Sequence, residues 1–231
     1  IKIELEHLLY NRDARHYDVC RSNPMVNFNG RLQHNVFFKG GAINFKLYYD
    51  LSHQQADLLK TIEVVDNSNP LYIQHGNASL QTAVVHKLTL DALVRTGDLP
   101  LCNVKMSYLR TRNALGTERT FVPVTGGYIV RPVNVNGNWG TDGSVAITRN
   151  VGKKKLFTLS NTVSYTFNHS VDMANIDGAT DNALSVFKNL YLHEQLSLDY
   201  SKNGWNVGTK VRASYSHLAG NRADFNTINA W

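Results

Sequence analysis

The chain has 231 residues (25.9 kDa), a formal charge of +6 and two cysteines. It is 42% hydrophobic with a mean hydropathy of −0.30, and no apolar run approaches the 18 or more residues of a spanning helix. Its bases are scattered and not gathered in a stripe, which argues against a nucleic-acid partner. The spacing of its two cysteines matches no zinc or redox motif, and two cysteines do not make a disulfide scaffold.

In chain order, the first residues already alternate: Ile1, Ile3 and Leu5 against Lys2, Glu4 and Glu6. The start lacks methionine and lies inside a strand-like run, which implies a processed leader or an internal fragment. Cys20 reads as part of a polar loop and Cys102 as the start of a strand; free thiols are expected, with a bridge left open. After the short turn Lys39-Gly40-Gly41, residues 42–51 place Ile43, Phe45, Leu47, Tyr49 and Leu51 opposite Asn44, Lys46, Tyr48 and Asp50. A strand has a side-chain period of two, so such a run has one greasy and one wet face. A long connection, 52–79, leads into 84–92, where Val84, Leu88, Leu90 and Ala92 oppose Lys87, Thr89 and Asp91. A short turn spans 96–101, and a longer connection spans 112–127.

Residues 128–149 are expected to form one long strand. Ile129, Val133, Val135, Trp139, Val145 and Ile147 are all odd-numbered, with Gly137, Gly140 and Gly143 read as a bend; two shorter strands are the alternative. The short connection 150–154 and the basic run Lys153-Lys154-Lys155 read as a solvated turn. In 155–167, Phe157, Leu159, Val163, Tyr165 and Phe167 alternate with Thr158, Ser160, Thr162, Ser164 and Thr166. A long polar connection is expected over 169–186. The clearest pattern follows over 187–217. Leu190, Leu192, Leu196, Leu198 and Tyr200 precede the turn Ser201-Lys202-Asn203-Gly204. Trp205, Val207, Val211, Ala213 and Tyr215 follow it. Asn-Gly is a hairpin signal.

Runs of about a dozen residues, twice the usual strand length, fit a transmembrane β-barrel, which crosses with about 9–11 tilted residues. The predicted fold is all-β: an antiparallel transmembrane barrel of which this chain supplies part of the wall, roughly 8–10 long strands. Residues 1–231 read as one partial barrel domain with no plug. Alternating short and long connections match the short periplasmic turns and long external loops of outer-membrane barrels. Three polar residues interrupt the greasy face. Glu194 should lie near the far rim and Arg131 beyond it, while Asn161 faces lipid near the middle. On the wet face Lys46, Lys87, Asp91, Lys210 and Arg212 are predicted to face the lumen; a hydrated wall with no substrate role is the plainer reading. Trp139, Tyr165, Phe167, Tyr200, Trp205 and Tyr215 read either as interfacial girdles or as the core of a soluble β-sandwich.

The segment 66–90 resembles a stretch of the TonB-dependent receptor family of outer-membrane β-barrels. Asn69-Pro70-Leu71, Gly76-Asn77 and Leu80 match its external-loop pattern, and His86, Leu88 and Leu90 match the strand that follows. Ala78 stands in place of the usual proline, and Gln81-Thr82 in place of Lys-Pro. The stretch 131–149 and the end 224–231 are also similar to this family. The resemblance implies a nutrient importer in the outer membrane of a Gram-negative bacterium. It also implies a 22-stranded barrel filled by a plug domain and driven by an inner-membrane energy-coupling complex. Expected partners are outer-membrane lipid, the plug, the coupling complex, and a surface lipoprotein or other outer-membrane protein.

No catalytic constellation stands out, and neither an enzyme nor a cofactor or metal is expected. The nine histidines are dispersed; His86 reads as packed or interfacial, and Ser170 beside His169 is adjacency without catalytic geometry. Loops 52–79 and 169–186 are the candidates for ligand capture, with Tyr72, His75 and Asn77 as the leading residues. Their structural alternative is a turn fixed by Pro70 and Gly76-Asn77. Rival functions are a non-catalytic barrel subunit of a larger assembly, a small passive barrel, and a soluble sandwich. The substrate (sugar, peptide, metal chelate or vitamin) stays open.

Overall fold

The computed structural model describes residues 2–12, 15–97, 99–152, 155–175, 183–220 and 224–230. Nearly all of them are in strands. Nine form an up-and-down antiparallel wall: β3 (Phe28–Phe38), β4 (Gly41–Gln54), β7 (Ala83–Thr96), β8 (Leu99–Arg112), β11 (Asn138–Val151), β12 (Phe157–Asn175), β13 (Ala183–Lys202), β14 (Trp205–Gly220) and β15 (Asp224–Ala230). Neighbours pair in that order. Short turns close one end of the wall. At the other end lies a cap: the helical turn α1 (Leu58–Thr61) and the strands β5 (Val65–Asp66), β6 (Tyr72–His75), β9 (Ala114–Val122) and β10 (Gly127–Val135). β9 pairs in parallel with the last residues of β12, so the cap sheet β5-β6-β10-β9 is grafted onto the wall's rim. A separate hairpin, β1 (Lys2–Arg12) with β2 (Arg15–Met25), joins the cap through Arg21, which bonds Glu6 and donates to the Ala56 carbonyl at 2.7 Å.

Period two sorts the wall into two faces. The register aligns Leu32, Leu47, Leu90 and Met106 in one row and Val145, Val163 and Val104 in another, all on the same side. This face is open: Leu32 is 68% exposed, Met106 47%, Val163 46% and Leu196 42%. The opposite face holds small hydroxyls, and there Thr89, Ser107, Ser197 and Ser214 are buried. The wall is therefore inverted relative to a globular sheet. The cap is not: Ala56, Leu58, Ile62, Val130, Val133 and Val135 are buried there.

Several expectations change. Residues 128–149 are two strands, not one, broken at Asn136-Gly137, where Gly137 takes φ +112° and turns the chain from cap to wall. Odd parity persists across the break because the connection has two residues, so it does not report continuity. The segment 112–127 is not a connection: it contains β9. Most of 169–186 is likewise strand, because β12 and β13 overshoot β11 and reach into the cap; 176–182 lie outside the described residues. Cys20 is in β2, not a loop, and Cys102 is the fourth residue of β8; both thiols are free. The opening run pairs only within the β1–β2 hairpin and adds nothing to the wall. Lys155 closes a turn on the Gly152 carbonyl at 3.0 Å, while Lys153 and Lys154 lie outside the described residues.

The polar exceptions on the greasy face also resolve. Asn161 donates to Glu194 at 2.8 Å, so the two satisfy one another across β12 and β13. Arg131 is not in the wall; it lies in β10 and donates to Glu118 at 2.8 Å. His86 is packed, with Nδ1 2.8 Å from the Tyr49 hydroxyl.

Candidate functional site

The cap forms a half-open pocket of about 510 Å³, a size that takes a small organic ligand. One face of the cap sheet forms its floor. Odd positions of β9 (Leu115, Thr117, Arg119) meet Val130 and Pro132 of β10, and these continue to Tyr72 and Gln74 of β6. The other face of the same sheet turns Val133 and Val135 into the cap core. Asp57, Leu59, Lys60 and Val64 form the side, and Tyr10 of the β1–β2 hairpin reaches the mouth.

The side wall is held locally. Asp57 caps α1, its Oδ1 accepting from the Leu59 amide at 2.9 Å. Leu58 and Ile62 pin the turn to the core and leave Lys60 exposed. The chain then passes so close that a Cβ on Gly76 would lie 1.5 Å from the Ile62 carbonyl oxygen, so only glycine fits. Asx turns at Asp66, Asn69 and Asn77 shape the rest: the Ser68, Leu71 and Ser79 amides each donate at 3.0 Å.

Of the three leading loop residues, Tyr72 lies on the floor and His75 lines the cavity at the end of β6. Asn77 does not line it. It accepts from Ser79 and donates to the Pro132 carbonyl at 2.8 Å, which is the structural alternative. The sequence reading missed Lys60, Arg119, Leu115, Val130, Pro132 and Tyr10. Leu115 and Arg119 share a parity in β9 that Gly116 and Glu118 blur, and no local signal links Lys60, Val130, Pro132 and Tyr10 to them.

The predicted lumen-facing residues do share the wall's hydroxyl face, in two groups separated by four strands. Lys46 pairs with Asp91, which pairs with Lys105, and Lys87 pairs with Asp50. Lys210 pairs with Ser197; Arg212 donates to Gln195 at 2.9 Å. None of them lines the cavity.

Aromatic side chains mark two levels of the greasy face. At the cap end Trp139 stacks on His169 (centroids 5.6 Å apart, 14° between planes) and meets Phe167 and Tyr108. At the turn end Phe157 meets Tyr200 at 5.0 Å, and Trp205 is 75% exposed. Tyr165 and Tyr215 lie on this face between the two levels.

A scan against protein-family models found no match, and neither did searches of curated proteins and of solved structures. The likeness to TonB-dependent receptors rests on the residues quoted above.

Proposed function

We propose that the chain forms part of the wall and the external cap of a TonB-dependent importer in the outer membrane of a Gram-negative bacterium. The observation that carries this reading is the open apolar face bounded by two aromatic levels. Phe157 and Phe167 are ten residues apart in β12 (167 − 157). At about 3.3 Å per residue and a tilt near 40°, that is about 25 Å of height, the thickness of a barrel's lipid-facing band. A face of this size left in water would drive aggregation, and no second sheet of the described residues packs on it, as a soluble sandwich requires.

In this reading lipid covers the leucine face, the hydroxyl face looks onto the lumen and a plug domain supplied elsewhere, and the cap captures ligand outside the cell. An inner-membrane energy-coupling complex drives passage, and a surface lipoprotein is a candidate partner at the cap. A small passive barrel fits less well. Eight antiparallel pairings make β3 and β15 run in the same direction, so closing the wall on itself would need a parallel seam. An antiparallel barrel instead takes an odd number of further strands between them. The same open edges support the second reading, a non-catalytic subunit completed by other polypeptides.

The test is the mass and behaviour of the native polypeptide. Recovery from the outer-membrane fraction at several times 25.9 kDa, with energy-dependent ligand uptake, is expected. Recovery near 25.9 kDa with stable partners and no uptake would favour the subunit. Recovery without detergent would overturn both.

A further inference from the structure

We infer that the cap cavity binds a small amphipathic anion: a carboxylate, phosphate or sulfate carried on an apolar or aromatic body. This deepens the proposed function, because it takes the cap as the ligand-capturing end.

The lining has two chemistries. Leu59, Val64, Leu115, Val130 and Pro132, with the rings of Tyr72 and Tyr10, supply apolar and aromatic surface. Lys60 from the helical turn and Arg119 from β9 supply cationic heads, with His75 between them in chain order. These cations come from separate elements that the fold brings to one cavity, so they are not a solvated charge run.

Several acids around the cavity are bonded within the fold, while Glu63, beside the lining residue Val64, is exposed. Asp57, the one acid among the described lining residues, accepts the Leu59 amide as a helix cap. Glu118, next to Arg119 in sequence, projects to the other face of the sheet and bonds Arg131. Asp172 accepts from the Thr117 amide and, at 3.0 Å, from the Met173 amide. Glu6 is bonded by Arg21. Lys60 and Arg119 against Asp57 leave a net charge of +1 (2 − 1) on the described lining, which draws an anion toward the apolar walls. Arginine offers a planar fork for a bidentate oxyanion, and lysine a point charge. A neutral ligand of the same shape would keep the apolar contacts and lose these.

Equilibrium dialysis of the chain in detergent micelles, against empty micelles, tests this with phenylacetate and the neutral phenylacetamide as probes. The expected result is about a tenfold or greater preference for phenylacetate. Lys60→Gln with Arg119→Gln should bring that preference to within about twofold. Lys39→Gln with Arg149→Gln, which removes two cations at the wall's turn end, should leave it intact. All four side chains are exposed or half-exposed, so folding is not at stake. Tyr72→Ala should weaken both probes alike. No binding, equal binding of the two probes, or a preference that survives the Lys60/Arg119 change would overturn the inference. Co-flotation with phospholipid vesicles is measured in parallel. A chain that floats without discriminating loses only this inference, and a chain that does not float loses the membrane reading whatever the dialysis shows.

Discussion

The wall and the cap of this molecule solve the burial problem in opposite directions. Midway along the wall, leucines and valines face outward and Thr89, Ser107, Ser197 and Ser214 are buried, while Ala83, Val85 and Val171 are buried only where β7 and β12 near the cap; in the cap, Leu58, Ile62, Val133 and Val135 are buried and Lys60 and Arg119 are exposed. One polypeptide thus has two surface compositions, with the change at the rim where β12 leaves β11 and meets β9. The proposed membrane placement accounts for this with two surroundings: lipid around the wall and water around the cap.

The largest expected effect lies in the cap. Val135 is 3% exposed, against a glycine whose added Cβ would lie 2.9 Å from the valine's methyl. Val135→Asp buries an unpaired charge and should cost about 3–5 kcal/mol, seen as proteolysis of the cap while the wall strands resist the protease. Simultaneous loss of both regions would show that they do not behave as separate environments.

Next comes the greasy face. Leu196→Arg, near mid-height, should cost about 2–4 kcal/mol in urea titration from phospholipid vesicles, whereas His193→Arg, on the hydroxyl face between Ser164 and Ser214, should cost under about 1 kcal/mol. Equal costs would erase the distinction between the faces. Gly76→Ala forces a Cβ onto the Ile62 carbonyl oxygen and should cost about 1–3 kcal/mol, confined to the cap and read as faster hydrogen exchange at Asn77, whose amide bonds the Lys60 carbonyl. The smallest effect is at the polar pair. Asn161→Leu leaves Glu194 without this partner and should cost about 1 kcal/mol, while Asn161→Leu with Glu194→Leu should restore or exceed the original stability. Additive losses in the double variant would mean that the pair does not satisfy itself.

The wall was legible in the sequence for the same reason that it is inverted. One face of each wall strand is apolar and the other polar, so β4, β12, β13 and β14 declare their faces by local alternation alone, whatever they pair with. The cap hid because its burial is non-local. Val135 packs against Gly116, Thr117 bonds Asp172 fifty-five residues away, and β9 mixes Gly116, Glu118 and Arg119 with no clean period. Asp172 also made 169–186 read as a loop, although its carboxylate is occupied by a strand amide. The cavity suffered in the same way. Tyr72 and His75 lie in a segment with strong turn signals and were found there, whereas Lys60, Arg119 and Tyr10 come from three other elements that only the fold assembles. Asn161 reads as a lone polar residue facing lipid because its partner lies thirty-three residues on, in the neighbouring strand.

Accessibility of nitroxide labels placed in turn at Leu192, His193, Gln195, Leu196, Ser197 and Leu198, with the chain in phospholipid vesicles, tests the central claim most directly. A leucine face set in lipid gives a period of two: labels at Leu192, Leu196 and Leu198 relaxed by oxygen dissolved in lipid, and labels at His193, Gln195 and Ser197 relaxed by a water-soluble nickel complex. Equal nickel access at both parities, above all at Leu196, would place the greasy face in water or against protein and contradict the account.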